Sequence, residues 1–508
     1  MIYGSNKKIM FGLQILFSIF ESKNMQKITI SDLQKIHEYL YEIPKSYRND
    51  MRVPAQIFVN EAMLLEVLTD KSLEQIVNVA SLPGIVKAAI AMPDIHQGYG
   101  FPIGGVAATD INNGGVISPG GIGYDINCGV RLLVSNINQK EIKPHIEKLA
   151  TSIFNTIPSG VGRSGKLKVN KEELDRILRF GVEEMIRLGY GIESDQEFCE
   201  SNGKLIIANP DMVSEQAKKR GSDQIGTLGS GNHFLEIQYV DKIYDEKAAR
   251  AFNLSEGLVT VMIHCGSRGL GHQVCTDYVK LMINNAKKWN ITLPDRELIC
   301  APFISKEGQE YYHAMAAASN FAWANRHVIA HWVRNTWQKI LGESSYLNLV
   351  YDVAHNIGKQ ETHTINGQDK ELLVHRKGAT RAFGPHHKEI PQNYQQVGQP
   401  VLIPGTMGTA SYVLAGNKES MEISFGTSCH GAGRRMSRIK AKQSVKGNEL
   451  REQLEAKGII IRCDSQTGLS EEAPVAYKDI DNVVSVIENA KIARRVARLR
   501  PLAVIKGD

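Results

Sequence analysis

The sequence predicts one large α+β domain, and two observations lead to this prediction. Segments with helical periodicity and short β-branched apolar runs follow one another irregularly, without the even alternation of a doubly wound sheet or a β/α barrel. The 45 glycines gather in short polar loops, several of which follow a predicted strand. Because glycine lets the backbone turn sharply and approach a ligand closely, we expect the functional site at these loops.

Each predicted element rests on its own pattern. Apolar periodicity predicts helices at Ser31–Tyr41, Glu61–Val79, Lys171–Leu188, His272–Lys288 and Ala314–Leu341. Apolar runs rich in β-branched residues predict strands at Val130–Ser135, Leu258–His264, Leu347–Val353, Val401–Ile403 and Met421–Phe425. No internal repeat or Pro/Ser-rich linker divides the sequence, which favours a single domain.

Residues 1–24 are predicted to be an N-terminal extension, and residues 25–508 the folded domain. Lys7 and Lys8 precede an apolar run, Ile9–Phe20, that resembles a signal peptide. The run is too short to span a bilayer, and no small-residue cleavage site follows it. A sequence of ordinary soluble composition begins at Met25, and no later segment is apolar enough to cross a membrane. We therefore expect no membrane association.

Composition and cysteine usage favour a protein of the cytoplasm. The sequence is 42% hydrophobic and 22% charged, with a formal net charge of +6, which is ordinary for a globular protein. This mild positive charge permits a polyanionic partner without requiring one. The 7 cysteines include no C-x-x-C pair, which argues against a disulfide framework or a zinc ribbon and favours a reducing compartment.

Residues with metal-binding chemistry stand beside several glycine loops and strand ends: Asp125, Cys128, His233, His264 and His355. Any one of the histidines could be structural, but the whole set indicates a preorganised metal site. One carboxylate, one thiolate and three imidazoles could hold Zn²⁺, Mn²⁺, Fe²⁺ or Co²⁺, and intrinsic affinity favours zinc over manganese. A thiolate can also bridge two ions, which would give a site suited to phosphoryl chemistry.

Three familiar motifs are incomplete or absent. His327 and His331 are four residues apart, but Val328 replaces the glutamate of H-E-x-x-H, so we expect core residues there. Residues 160–166, GVGRSGK, approach a phosphate-binding P-loop, yet Leu167 stands where Ser or Thr should bind Mg²⁺. The lysine-nucleophile motif of ordinary nucleic-acid ligases, K-x-D-G, does not occur.

The glycine loops occur in a characteristic order: DINCGVR, GSGNHFLEIQ, HCGSRGLGH, YDVAHN, HRKGATRAF, PGTMGTASYVL and SCHGAGR. The sequence closes on RPLAVIKG and one additional Asp508. Through these motifs, residues 25–508 resemble the RtcB family of tRNA-splicing and RNA-repair ligases. The resemblance implies that family's α+β fold around a central cleft.

The resemblance also implies the cofactors and the site residues. Two Mn²⁺ ions would be bridged by Cys128, one held with Asp125 and His233 and the other with His264 and His355. The nucleophile of the family matches His430. The implied GTP pocket contains Asn232, His233, Phe234, Leu235, Glu236, His355, Asn356, Pro404, Gly405, Thr406, Met407, Ser411, His430, Gly431, Ala432, Gly433 and Lys506.

The implied reaction joins an RNA 3′-phosphate or 2′,3′-cyclic phosphate end to a 5′-hydroxyl end. It would proceed through a guanylate on His430 and an RNA end capped by GMP. The expected partners are GTP, RNA such as tRNA halves, and an archease-like activator, which some family members need. Candidates for phosphate contacts are Arg268, Arg376, Lys377 and Arg381, and His96 is a candidate for the cleft.

Two other classes of function compete with the ligase. A metal-dependent RNA phosphodiesterase would use the same metal ligands without a nucleotide, so GTP dependence separates it from a ligase. A non-catalytic RNA- or metal-binding relative would have lost ligands or the nucleophile, and this sequence retains all of them.

Overall fold

Two large β-sheets form the framework of residues 27–507, which are the residues that this computed structural model describes. The predicted extension, residues 1–24, lies outside the described residues. The seven-stranded sheet comprises, in spatial order, Gln34–His37, Leu40–Ile43, Ala55–Phe58, Ala89–His96, Ile103–Asp110, Gln368–Lys377 and Asn356–Ile365. The main row of the eight-stranded sheet comprises Leu347–Ala354, Gly129–Asn138, Leu258–Cys265, Phe234–Ile243, Ala493–Lys506, Ser411–Gly416 and Pro400–Ile403.

Shorter strands complete the sheets. Ile460–Arg462 pairs in parallel with Ala493–Lys506 and is the eighth strand of the second sheet. Two-stranded sheets are formed by Val116–Ile117 with Ala301–Pro302, and by Ala379–Arg381 with Thr427–Cys429.

The longest helix, Lys306–Leu341, lies in the core beside the eight-stranded sheet. Its middle is rich in alanine and is buried almost all round, as expected of a helix surrounded by protein. The side chain of Ser305 caps its N-terminus by accepting from the amide of Gly308. The other α-helices of the described residues are Glu61–Val67, Ser72–Val79, Gln139–Ile142, Ile146–Thr156, Lys171–Phe180, Val182–Arg187, Glu215–Gly221, Glu246–Ala251, Arg268–Trp289, Ser420–Ser424, Arg438–Ser444, Gly447–Ala456, Gln466–Glu471 and Ile480–Asn489.

The α+β prediction is confirmed, but two element predictions are wrong. The predicted helix Ser31–Tyr41 is replaced by two antiparallel strands, because Leu40–Ile43 pairs with Ala55–Phe58 and extends the seven-stranded sheet. The predicted strand Met421–Phe425 lies in the short helix Ser420–Ser424, which ends at Phe425 in the left-handed region. In both segments, tertiary pairing or a local turn outweighs the apolar pattern.

Two predicted helices are each divided in two. The segment Glu61–Val79 contains a break at residues 68–71, where Asp70 accepts hydrogen bonds from the amide and hydroxyl of Ser72. The segment Lys171–Leu188 breaks at Gly181, whose φ of 56° is unfavourable for other residues. Within residues 27–507, no helix combines the length and the apolar character that crossing a membrane requires.

Candidate metal and nucleotide site

The five predicted metal ligands meet at one edge of the eight-stranded sheet. Cys128 and His233 directly precede strands, His264 is the penultimate residue of a strand, and His355 directly follows one. Asp125 lies in the loop that leads to Cys128, where the amide of Cys128 donates to the carbonyl of Asp125 at 2.9 Å. Each ligand is therefore fixed by a sheet edge or by a short turn against it.

Strand register explains why residues so distant in sequence meet. Gly129 pairs with Ala354 on one side and with Cys265 on the other. His264 pairs with Phe234, which is the first residue of its strand. Because neighbouring strands are antiparallel, the beginnings of two strands lie beside the ends of two others. The ligands next to these residues consequently form one row.

The ligand atoms form two clusters that share one thiol. The first cluster contains Asp125, Cys128 and His233, and the second contains Cys128, His264 and His355, with donor atoms in each cluster within 4.8 Å of one another. The Cys128 Sγ lies 3.3 Å from Nε2 of both His233 and His264. His233 Nε2 lies 2.9 Å from Asp125 Oδ2. Hard and soft donors converging on two neighbouring points fit a pair of divalent transition-metal ions.

Burial prepares these side chains to act as ligands. It lowers the pKa of His264 and His355 well below the usual value, and nearby histidines reinforce this effect, so both imidazoles are neutral and have a free lone pair. Burial opposes ionisation of Asp125, but the hydrogen bond and positive charge of His233 outweigh it and lower the pKa of that carboxyl. Burial raises the pKa of Cys128 to about 12; a bound metal would compensate for the cost of its ionisation.

The long helix supports both ligand loops through Arg326. Its Nη1 donates to the carbonyl oxygens of Asn127 at 2.7 Å and Cys265 at 2.8 Å, and its Nη2 donates to Asn127 Oδ1 at 3.0 Å. Nη2 also donates to Asp352 Oδ1 at 2.8 Å, and both side chains are fully buried. Asn127 directly precedes the shared thiol and has a φ of 51°, so this guanidinium fixes an unfavourable loop conformation.

We expect Arg326→Lys to weaken metal binding roughly 10–100-fold, the usual range for residues that orient metal ligands. Lysine keeps the positive charge beside Asp352, but it cannot reach both loop carbonyls and Asn127 Oδ1 with one planar group. Isothermal titration calorimetry of the metal-free protein with Mn²⁺ or Co²⁺ measures the dissociation constants directly.

Arg334→Lys is the matched control on the same helix. Arg334 pairs with Asp195 at 2.5 Å and donates to the carbonyl of Leu347, contacts that do not include the ligand loops. This variant should bind metal as tightly as the wild type. Equal weakening in both variants would mean that general loosening of the helix, and not support of the loops, is the cause.

His430 is held in position beside the metal ligands by Asp94. Its Nδ1 lies 2.6 Å from Asp94 Oδ2, and the same oxygen accepts from the backbone amides of His430 at 2.9 Å and Gly431 at 3.3 Å. The imidazole centroid is 4.8 Å from that of His355. With Nδ1–H donating to Asp94, Nε2 carries the free lone pair that a nucleophile needs.

Gly433 allows the His430 loop to pack against the strand that carries Asp94. Its φ is 72°, and a Cβ at this position would lie 2.2 Å from the carbonyl oxygen of Asp94. Sequence reasoning identified His430 but missed Asp94. Asp94 stands two residues before His96 in the motif MPDIHQG, and this position next to a predicted cleft residue could have identified it.

A cavity of about 450 Å³ contains His430 and most of the predicted site. The predicted residues that line it are His96, Asp125, Cys128, Asn232, Phe234, Glu236, His264, His355, Asn356, Lys377, Pro404, Gly405, Thr406, Met407, His430, Gly431, Ala432, Gly433 and Lys506. Lining residues that sequence reasoning missed are Gln97, Tyr99, Ile103, Gly123, Tyr124, Gly378, Arg434, Arg438, Glu472 and Tyr477.

Glu236 and Lys506 are buried polar side chains that both line this cavity. Their strands are neighbours, with Lys506 paired to Phe234 and Val504 to Glu236. Burial raises the pKa of Glu236 to about 7, although the hydrogen bond from Gln238 and the charge of Lys506 oppose the rise. A carboxylate and an ammonium group that line the same cavity can accept from and donate to a purine edge.

Three residues of the predicted pocket have other positions. Leu235 is fully buried in the hydrophobic core, so only its backbone could contact a ligand. Ser411 supports the Pro404–Met407 loop, because its hydroxyl accepts from the amide of Gly405 at 3.0 Å. His233 belongs to the metal clusters and does not line the main cavity.

Two of the four predicted RNA contacts are structural ion pairs. Arg376 is fully buried and pairs with Glu361, and Arg381 is buried and pairs with Glu389; neither can reach an RNA phosphate. Arg268 donates to the carbonyl of Gly160 at 2.9 Å. Lys377 does line the cavity, with a pKa that burial lowers to about 7.

Of the two histidines expected in the core, His327 lies there, but His331 is partly exposed. His327 is fully buried; its Nδ1 accepts from Arg131 Nη1, and its Nε2 donates to the carbonyl oxygen of Tyr190. His331 Nδ1 accepts from the amide of Gly191. Residues 160–166 do not line the cavity.

Comparison with known proteins identifies close relatives over nearly the whole chain. Residues 75–507 match the family model described as "tRNA-splicing ligase RtcB". A protein of that name from Archaeoglobus fulgidus is 56% identical over 94% of this chain and 99% of its own length. Proteins of the same name from Methanococcus maripaludis and Nanoarchaeum equitans are 51% and 53% identical, again over 94% of this chain; the alignments cover 100% and 99% of their own lengths.

Proposed function

Since this chain belongs to the RtcB family of tRNA-splicing ligases, we propose that it joins RNA ends in a GTP- and Mn²⁺-dependent reaction. The ends joined are a 3′-phosphate or 2′,3′-cyclic phosphate and a 5′-hydroxyl. The observation that carries this proposal is His430, whose Nδ1 is held by Asp94 at 2.6 Å while its ring lies 4.8 Å from His355 of the second metal cluster. A nucleophilic imidazole beside a two-metal site fits nucleotidyl transfer better than simple hydrolysis.

In the first step, His430 Nε2 attacks the α-phosphorus of GTP. A P–N bond forms, the bond to the β-phosphate oxygen breaks, and pyrophosphate leaves with its electron pair. Asp94 holds the proton on Nδ1 and stabilises the positive charge that develops on the imidazole. The product is a guanylate linked to His430, which divides one difficult reaction into easier ones.

In the later steps the guanylate passes to RNA. An oxygen of the RNA 3′-phosphate attacks the guanylate phosphorus, and the imidazole of His430 leaves. The 5′-hydroxyl of the second RNA then attacks the activated 3′-phosphate, and GMP leaves. An end that begins as a 2′,3′-cyclic phosphate is first hydrolysed to the 3′-phosphate.

The two clusters would hold two Mn²⁺ ions with Cys128 as the shared ligand. Asp125 and His233 complete one site, and His264 and His355 complete the other. Bound there, the ions would supply charge neutralisation and in-line orientation of phosphate oxygens. The identity of the metal is inferred from the family, since the ligands alone would also accept zinc.

The guanylate pocket is proposed to bind the base through Glu236 and Lys506. The carboxylate of Glu236 would accept from the N–H groups on the Watson–Crick edge of guanine, and Lys506 would donate to a base acceptor. Backbone amides of the loops Pro404–Met407 and Gly431–Gly433 would cradle phosphate oxygens. Asn232, Phe234 and Asn356 line the same cavity.

We expect guanosine affinity to fall by up to tenfold per pH unit below pH 7. The pKa of Glu236 is about 7 in the free protein because of its burial. Guanine N–H donors bind the ionised carboxylate better than the protonated acid, so a bound base lowers the pKa of Glu236. Affinity therefore falls as the carboxylate of the free protein becomes protonated. Each unit of difference between the free and bound pKa corresponds to 1.36 kcal/mol. Calorimetric titration with guanosine between pH 5.5 and 8 measures the effect without involving phosphate groups.

Glu236→Gln is the control for this titration. Its amide carbonyl still accepts one hydrogen bond from guanine, but it does not titrate, so its affinity should be weaker and independent of pH in this range. An equal pH dependence in the variant would assign the effect to another group.

Further parts of the proposal concern the biological setting. We propose that residues 25–508 form the ligase domain, that the enzyme acts in the cytoplasm on tRNA halves or broken RNA, and that an archease-like activator supports turnover. The 7 cysteines in the described residues are all free, which is consistent with a reducing compartment.

The test is incubation of Mn²⁺-loaded protein with α-³²P-GTP, followed by a denaturing gel and by addition of 3′-phosphate and 5′-hydroxyl RNA. Label that stays on the denatured protein, and joined RNA that forms only with GTP, are expected. Failure to label or to join RNA, also after addition of an activator, would contradict the ligase. Hydrolysis of cyclic phosphate ends without GTP would then identify a metal-dependent phosphodiesterase.

A further inference from the structure

A pair of tyrosines in the cavity has no role in the guanylate chemistry described above. Tyr99 and Tyr124 line the same cavity as His430 and Cys128. Their ring centroids are 5.4 Å apart and the ring planes meet at 76°. Both side chains are partly exposed, and an edge-to-face pair leaves ring faces uncovered by the partner. The pair therefore offers aromatic surface inside the cleft.

The pair lies next to the reacting centre. Tyr124 directly precedes the metal ligand Asp125, so their Cα atoms are roughly 3.8 Å apart. The exposed imidazole of His272 extends the aromatic surface, with its centroid 6.1 Å from that of Tyr124. A nucleotide whose phosphate lies at the metal clusters would have its own base within reach of these rings.

The loop that carries Tyr99 is held rigidly. Buried Lys377 donates from Nζ to the carbonyl oxygens of Tyr99 at 2.7 Å and Phe101 at 2.8 Å. The amide of Gly100 donates to Glu297 Oε2 at 3.0 Å. A side chain on a backbone that is already fixed loses less conformational entropy when a flat ligand binds to it.

Unpaired RNA bases are flat ligands that proteins bind mainly by stacking on aromatic side chains. The proposed pocket for guanine uses a buried carboxylate and an ammonium group, Glu236 and Lys506, which recognise one base by hydrogen bonds. Ring faces instead accept any base, as joining RNA ends of different sequence requires. We propose that Tyr99 and Tyr124 form the stacking platform for the terminal nucleobase of an RNA end that is being joined. This inference rests on the proposed ligase function.

The test compares RNA ends with and without a terminal base. Wild type, Tyr124→Ala, Tyr99→Ala and the ring-preserving Tyr124→Phe are assayed with a 3′-phosphate RNA and a 5′-hydroxyl RNA. In each strand the terminal nucleotide is either normal or abasic. The alanine variants should raise the KM for RNA about 5–150-fold, the range for loss of one base–aromatic stack, and the phenylalanine variant should stay near wild type. The exposed Tyr346, changed to alanine, is the control for an unrelated surface ring.

The abasic substrates identify the end that is bound. An abasic nucleotide in the strand that stacks should raise the KM of the wild type for RNA by a similar factor. It should change the KM of Tyr124→Ala little, because this variant has already lost the contact. A 3′-strand effect assigns the platform to the phosphate end, and a 5′-strand effect to the hydroxyl end. The proposal is overturned if the wild type has the same KM for normal and abasic ends of both strands. It is also overturned if an abasic end raises the KM equally in the wild type and in Tyr124→Ala.

Guanylate transfer to the protein separates this inference from the proposed function. That transfer needs no RNA, and it is measured in the same preparations with labelled GTP. If the wild type takes up no label and joins no RNA, the ligase function fails. If labelling and joining proceed but the alanine variants keep the wild-type KM, only the platform fails. The wild-type comparison with abasic RNA decides the question even if a variant does not fold.

Discussion

Replacing His430 with alanine abolishes transfer of guanylate from GTP to the protein, if the proposed mechanism is correct. The variant has no atom at the position of Nε2. Among the described residues, one other histidine lines the cavity without belonging to a metal cluster, and this is His96. Partial burial lowers the pKa of His96 to about 4, and its Nδ1 is bound to the carbonyl of Asp94 at 3.0 Å. The measurement is label retained on denatured protein, with circular dichroism as the check on folding.

Asp94→Asn provides a graded form of the same experiment. The asparagine is nearly the same size but carries no negative charge to stabilise the imidazolium, and its N–H, placed where Oδ2 now accepts from Nδ1 and two backbone amides, would move the imidazole proton to Nε2, the nucleophilic atom. A comparable change in a serine protease triad lowers the rate by ~10⁴-fold, and we expect a loss of this order in the rate of labelling. Metal binding should be unchanged, because Asp94 contacts neither cluster. Labelling at the wild-type rate would show that Asp94 does not set the protonation state of His430.

The clustering of the candidate metal ligands was predictable because their chemistry and their positions at strand ends are both visible in the local sequence. Cys128, His233, His264 and His355 each stand beside a run of strand-forming residues, and side chains at strand ends point to one edge once the strands pair. What the sequence could not provide is the register. The pairing of Gly129 with both Ala354 and Cys265 depends on contacts between segments more than 80 residues apart.

The failures of sequence reasoning have the same physical origin. Asp94 lies 336 residues before His430, so no spacing rule connects them. Arg376 and Arg381 occur in a glycine motif that looks functional. Both side chains are nevertheless buried, and each forms an ion pair with a carboxylate. Ser31–Tyr41 has a helical apolar pattern, but Gln34–His37 and Leu40–Ile43 form the two outermost strands at one edge of the seven-stranded sheet. In each case, a tertiary contact that the local sequence pattern does not identify decides the outcome.

Cys128→Ala is expected to remove both metal ions, whereas His355→Ala should remove only one. Among the described residues, Cys128 is the member common to the two clusters, and its Sγ lies 3.3 Å from a nitrogen of each. Loss of the thiolate leaves two donors at each site, fewer than a divalent transition-metal ion normally needs. Equilibrium dialysis with Mn²⁺ gives the stoichiometry, and Co²⁺ loading reports the thiolate bond through its charge-transfer absorption.

Cys265→Ala separates the effect of a shared ligand from the effect of removing any thiol near the site. Cys265 Sγ lies 3.8 Å from His233 Nδ1 but belongs to neither cluster, and its backbone carbonyl, which Arg326 binds, is kept in the variant. This protein should retain both ions and the cobalt–thiolate band. If Cys128→Ala also bound two ions, the thiol would not be a required ligand, and two independent sites would have to be sought. If Cys265→Ala lost the band instead, the coordinating sulfur would be that of Cys265.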